Sequence, residues 1–149
     1  MPPQRKRLAL LAALTLPAWP ASAATLPQVV VHKDPHCACC AKWVEHLETH
    51  GFRVKTVQSD DLAALKRRLG VPQRLASCHT AEVGGYLIEG HVPAATIKRL
   101  LGERAAVAGL AVPGMPIGSP GMEVPGRSEA YEVLSFARDG SSRVYQSFR

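Results

Sequence analysis

Aromatic residues are scarce in this chain, at 5% of its 149 residues. Nowhere do they interleave with a concentration of Lys and Arg, so the stacking platform and charged track of a nucleic-acid surface are missing. No apolar run approaches the roughly 20 residues that cross a bilayer. Methionine is limited to Met1, Met115 and Met122, and cysteine to Cys37, Cys39, Cys40 and Cys78. None of these cysteines lies at the end of the N-terminal apolar segment, where a lipid-anchored form would need one. Apart from the tripeptide Pro-Gly-Met, found at 113–115 and again at 120–122, nothing repeats, which excludes a repeat array.

What is present begins with an export signal. Gln4-Arg5-Lys6-Arg7 is a basic segment, Leu8 to Leu16 is a short apolar run ended by Pro17, and Ala21-Ser22-Ala23 is a small-x-small cleavage site. That order predicts a secretory signal peptide over residues 1–23. The remaining residues, 24–149, have the length of one domain. Loss of Arg5, Lys6 and Arg7 lowers the formal charge from +6 by three, so the high pI is partly a property of the leader. After cleavage no membrane association is expected.

The pattern along the mature chain alternates between strand and helix. Val29-Val30-Val31 reads as a buried strand, followed by a loop from His32 to His36. A helix is expected from the cysteines to about His50, with Trp43, Val44 and Leu47 as its apolar stripe and Gly51 past its end. Phe52 to Val57 alternates as a second strand. Ser59 or Asp60 can cap a helix carrying Leu62, Leu65 and Leu69, closed by Gly70. Val71 to Thr80 is read as a loop, Gly85 to Glu89 as a third strand, and Gly90-His91 as a turn. Pro93 suits the first turn of a third helix that runs through Leu101 and ends at Gly102. Pro113 to Gly126 holds four prolines and four glycines in fourteen residues and can be neither helix nor central strand. Tyr131 to Ala137 and Arg143 to Phe148 form a hairpin turned at Asp139-Gly140. These elements predict one α/β domain, a mixed sheet flanked by helices. The cysteine-rich turn between the first strand and first helix places it near the thioredoxin-like group.

His36-Cys37-Ala38-Cys39-Cys40 carries the chemistry. Cys37 and Cys40 have the C-x-x-C spacing of dithiol redox sites. At a helix N-terminus, free N–H groups and the helix dipole favour thiolate, the form that attacks disulfides and binds metal. Cys39 complicates a dithiol enzyme, because it invites mispairing. A metal site gains from it. Three soft sulfurs in four residues, with Cys78 as a fourth, suit Cu(I). Four-cysteine zinc is the rival, but structural zinc sites come as two separated pairs. The adjacent Cys39 and Cys40 point apart and suit bridging of several copper ions. Two alternatives stay open. One is a thiol–disulfide oxidoreductase using Cys37 and Cys40. The other is a non-catalytic module held by disulfides such as 37–40 and 39–78. Whether the chain is an enzyme is left open.

His79 follows Cys78 and His36 precedes Cys37, so either imidazole could complete a copper shell. His91 reads as a turn residue. His32, His46 and His50 read as solvated, the last two at an i, i+4 spacing that can chelate weakly. Met115 and Met122 sit in the Pro/Gly segment, where glycine allows close approach to another surface, and thioether is a soft ligand.

The chain resembles the CopG-like copper-resistance family of small periplasmic proteins. The resemblance rests on Cys37-Ala-Cys39-Cys40, Ser77-Cys78-His79-Thr80, Tyr86-Leu-Ile-Glu-Gly-His91-Val-Pro93 and Pro113-Gly-Met115-Pro-Ile-Gly-Ser-Pro-Gly-Met122-Glu123. It implies a thioredoxin-like fold, a periplasmic location and a cysteine-bridged cluster of more than one copper ion. It also implies a role in copper handling, with Cu(I)/Cu(II) interconversion. The implied partners are copper ions and other periplasmic copper-handling proteins. In thioredoxin-like folds the loop before the third strand lies against the C-x-x-C turn, which gives Cys78 a reason to meet the cluster.

Overall fold

The computed structural model describes residues 25–149; the expected leader at 1–23 lies outside the described residues. Seven strands form one mixed sheet in the order β2-β1-β3-β4-β5-β6-β7. They are β1 (Val29–Lys33), β2 (Val54–Gln58), β3 (Thr80–Val83), β4 (Tyr86–Glu89), β5 (Gly109–Ala111), β6 (Tyr131–Phe136) and β7 (Ser142–Phe148). β1 pairs in parallel with β2 and β4 with β5; the other pairings are antiparallel. The helices are α1 (Ala38–Thr49), α2 (Leu62–Leu69) and α3 (Ala94–Glu103), with a short 3-10 turn at Gln73–Leu75.

Side-chain alternation divides the sheet into two faces. Val29, Val31, Ala81, Val83, Ile88 and Leu110 join Trp43 and Leu47 of α1 and Ile97 and Leu100 of α3 in the main core. Leu75, Ala111 and Phe136 form a smaller cluster with Leu87 and Leu134. Burying a side chain such as Leu47 contributes about 2 kcal/mol, and Leu47 and Trp43 are the residues that seat α1 on the sheet. The helix ends in a Schellman motif. Gly51, at φ 86°, donates its N–H to Glu48 O, and Phe52 donates to Leu47 O.

Several boundaries differ from those read in the sequence. β1 continues through His32 and Lys33, which pair with β2. The cap of α2 is neither Ser59 nor Asp60. Asp61 supplies it, accepting from the N–H of Ala64 at 2.8 Å. α3 passes through Gly102 to Glu103, and Arg104 takes the left-handed conformation at φ 50°. Two strands were not anticipated. β3 begins at Thr80, the last residue of the expected loop, covers Ala81 to Val83, which belong to no element read in the sequence, and forms a hairpin with β4 across Gly84-Gly85. β5 has only three residues and is completely buried, which leaves no alternation to read.

Candidate metal centre

Four chain segments converge at one end of the sheet. The first is the turn from β1 into α1. Cys37 is the N-cap of α1, and its sulfur accepts the Cys40 N–H at 3.3 Å. In this structure Cys37 and Cys40 are joined as a disulfide, whereas Cys39 and Cys78 are free. The Cys39 sulfur lies 3.4 Å from that of Cys37. Cys78 arrives from the loop before β3, and all four sulfurs lie within 4.8 Å of one another. The expected meeting of Cys78 with the 37–40 turn is therefore present, with two of its sulfurs oxidised.

Cys78 is also the apex of a second grouping. Its sulfur lies 3.2 Å from His79 Nδ1 and 3.0 Å from His91 Nε2. Both imidazoles are fully buried. His91 Nδ1 lies 2.8 Å from the carbonyl of Pro120, and a carbonyl only accepts, so Nδ1 carries the proton. Nε2 therefore presents its lone pair to Cys78. The single S–H can donate to only one of these two ring nitrogens, whereas a cation at this point could take the sulfur and both nitrogens at once. His79 Nε2 is buried and has no partner among the described residues. One sulfur and two nitrogens aimed at one point fit a soft or borderline cation better than they fit one another.

Electrostatics fits a neutral ligand set. Burial, and then the neighbouring Cys39, push the Cys78 thiol up to about 12. The thiol is thus protonated in the free protein, and a bound cation would have to displace that proton. Burial holds His79 well below its ordinary value, helped by the charges of His91 and Lys66. Burial also lowers His91, against the pull of the Pro120 carbonyl and Glu123.

The Pro/Gly segment closes the site from the other side. Gly114 O accepts the Ser77 hydroxyl at 2.5 Å, which puts the first Pro-Gly-Met against the Cys78 loop. At Gly121, φ is 88°, and a Cβ would come within 2.8 Å of Cys39 O and 2.9 Å of Trp43 N. The second Pro-Gly-Met therefore lies against the start of α1. Each copy of the tripeptide lies beside one half of the cysteine cluster, but only Gly121 uses glycine's tolerance of close approach; a Cβ at Gly114 would meet nothing within 4 Å.

Two solved structures of a copper resistance protein CopG match the chain over nearly their whole length. Form 2 superposes with a TM-score of 0.79 at 47% identity, covering 83% of this chain and 99% of that one. Form 1 gives 0.77 at 48% identity, over 82% and 98%. The chain belongs to the CopG family. A family model described as a protein of unknown function, DUF411, matches residues 75–122. No curated protein matches the chain. In this CopG family member the 75–122 match takes in Cys78, His79, His91 and both Pro-Gly-Met copies, but not the C-x-C-C turn.

The remaining residues singled out in the sequence fall in different places. His36 is exposed and belongs to neither grouping. Met115 is 51% exposed beside the Cys78 loop, and Met122 is half-buried beside α1. His46 is not a solvated residue: its Nε2 accepts the N–H of Ala94 at 3.1 Å and so caps α3. His91, a turn residue by its sequence, is instead buried at the centre. The signal that reveals it is the β3–β4 hairpin. Thr80 opposes Glu89, and Gly90 N donates to His79 O at 3.1 Å, so Cys78-His79 and Gly90-His91 must face each other.

Proposed function

We propose that this protein binds copper as cargo, holding Cu(I) on the sulfurs of Cys37, Cys39, Cys40 and Cys78 with the imidazoles of His79 and His91. The observation that carries this reading is the convergence of four sulfurs within 4.8 Å, with two buried neutral imidazoles on Cys78. Its likeness to copper resistance proteins supports copper over zinc and a role in copper resistance. The full sulfur set requires reduction of the Cys37–Cys40 disulfide, which takes up two electrons and two protons from a thiol reductant and leaves two thiols. Reduced, the four sulfurs are close enough to bridge more than one ion, and Cu(I)/Cu(II) cycling at such a cluster is part of the proposal. Met115, Met122 and His36 are candidates to extend the shell. The leader pattern at 1–23 supports export to the periplasm, where the copper-handling partners would be found.

Metal analysis with X-ray absorption on anaerobically reduced, copper-loaded protein tests this. The expected result is more than one copper per chain, sulfur in the first coordination shell and a short metal–metal distance. A single zinc ion, or no retention of Cu(I), overturns it.

The disulfide between Cys37 and Cys40 at the start of α1 favours a second reading, thiol–disulfide exchange. On that reading Cys39→Ser keeps disulfide-reductase activity and Cys37→Ser abolishes it. Absence of reductase activity in the wild type removes this alternative.

A further inference from the structure

The copper site stands on a buried ion pair that none of its sulfur or imidazole ligands includes. Glu89, the last residue of β4, is completely buried. Its Oε1 accepts the Ser77 N–H at 2.6 Å and the Lys66 ammonium at 2.5 Å. Its Oε2 accepts the Thr80 hydroxyl at 2.6 Å, and Lys66 donates to that same hydroxyl oxygen at 2.8 Å. Ser77 and Thr80 are the residues on either side of Cys78-His79. One carboxylate thus grips the dipeptide at both ends. The next residue, Gly90, holds the His79 carbonyl through its N–H at 3.1 Å. Gly90 has no room for a side chain, since a Cβ would lie 2.6 Å from Ser77 and from Val112 O. The residue after that is His91. Three consecutive positions at the end of β4 therefore supply a clamp, a backbone tie and an imidazole to the Cys78 half of the site.

We infer that Glu89, held by Lys66, is the positioning residue for Cys78 and His79, setting where their sulfur and nitrogen stand relative to His91 and the cysteine turn. A buried ion pair is a poor source of stability, because desolvation offsets its attraction and an apolar pair of similar size is often as stable. What an apolar pair cannot do is accept the Ser77 N–H and the Thr80 hydroxyl. Lys66 compensates the buried charge, and the carboxylate spends its acceptor positions on the segment that carries two ligands. Groups that orient ligands without touching the metal govern affinity in this way. The inference rests on the copper-binding reading above.

Two double variants separate positioning from stability. Glu89→Gln with Lys66→Met removes both charges but keeps an amide oxygen for the Ser77 N–H. Glu89→Leu with Lys66→Met removes both charges and the acceptor. The probes are Cu(I) competition with a colorimetric chelator on reduced protein, urea unfolding, and the rate of Cys78 alkylation in metal-free oxidised protein, mapped by mass spectrometry. The leucine pair leaves the Ser77 N–H and the Thr80 hydroxyl without their acceptor, so its urea midpoint is expected to fall modestly. While still fully folded it is expected to bind Cu(I) about 10–100-fold more weakly and to alkylate faster at Cys78. The glutamine pair is expected to match wild type in all three. Equal affinity and alkylation in both pairs overturns the inference, as does an affinity loss that merely tracks unfolding. If the leucine pair does not fold, Thr80→Val carries the test, since it removes one end of the grip and leaves the ion pair. Unchanged affinity and alkylation in that variant is then decisive against the clamp. A wild type that fails to bind Cu(I) sinks the functional reading instead, and Cys78 alkylation still tests the clamp.

Discussion

The Nε2 of His91 stands 3.0 Å from the sulfur of Cys78, while its Nδ1 donates to the Pro120 carbonyl at 2.8 Å. The carbonyl fixes the tautomer and aims the ring's lone pair into the site. A ligating histidine is commonly held in this way. Replacing it with Ala is expected to weaken Cu(I) binding by at least about tenfold, read by chelator competition. A His91→Ala protein that binds Cu(I) as tightly as wild type removes this imidazole from the ligand set.

Cysteine pairing gives an independent expectation. With Cys37 and Cys40 joined and Cys39 and Cys78 free, the oxidised metal-free chain presents two thiols on denaturation, and four after reduction. In the native oxidised protein Cys78 should react much more slowly than Cys39 at neutral pH, because burial and the adjacent Cys39 push its thiol up to about 12. Peptide mapping after timed alkylation separates the two. Finding no free thiol in the oxidised chain would mean that 39 and 78 are also paired, and the sulfur arrangement described above would be wrong.

The cysteine turn, the first helix, the C-terminal hairpin and the irregular Pro/Gly segment were all legible, because each rests on local chemistry: a cap, an apolar stripe, an Asp-Gly turn, a density of proline. What the chain order hid was the part assembled across the sheet. Thr80-Ala81-Glu82-Val83 does alternate between polar and apolar, with only Glu82 exposed, but four residues are too short a run to stand out between the expected loop and Gly84-Gly85. With β3 missing, Gly90-His91 had no opposite strand, and a buried ligand candidate looked like a turn. Glu89 shows the same limit. A glutamate ending a strand gives no sign that Lys66, twenty-three residues earlier, will be buried beside it. His46 capping α3 depends on two helices meeting, which spacing within α1 cannot reveal.

The conformation at Gly121 makes a prediction about the lid-like segment. Its φ of 88° is disfavoured for a side chain, and a Cβ would meet Cys39 O at 2.8 Å and Trp43 N at 2.9 Å, both backbone atoms of α1. Neither can move without shifting the helix that carries Cys39 and Cys40 and is capped by Cys37. Gly121→Ala should therefore destabilise the protein by about 1–3 kcal/mol. It should also lower copper retention, because the Pro120 carbonyl that orients His91 is the preceding residue. Gly126 is also at positive φ, 72°, but nothing lies within 4 Å of its Cβ position. Gly126→Ala serves as the control: it bears the backbone strain alone and should leave copper retention unchanged.

Acid should weaken the metal-free fold. His46, His79 and His91 all have folded-state values below the ordinary 6.5, each chiefly through burial. Below about 6.5 the unfolded chain takes up protons that the folded chain refuses, so the unfolded state gains and stability falls as pH falls. Above that value both states are neutral at these rings, and the contribution is level. Glu89 runs the other way: burial raises it, so the folded chain protonates first, which partly offsets the loss at lower pH. Urea midpoints of metal-free protein should therefore be constant above about pH 7 and decline towards about pH 5.5. His46 can be isolated from the site histidines, because its structural task is to accept the Ala94 N–H at 3.1 Å. Protonation removes that lone pair and leaves the first turn of α3 uncapped, whereas the amide oxygen of His46→Gln can accept at every pH. The glutamine variant should match wild type near neutrality and lose less stability in acid. If its decline is as steep as that of wild type, the cap does not contribute to the acid sensitivity, and the two histidines around Cys78 must account for it alone.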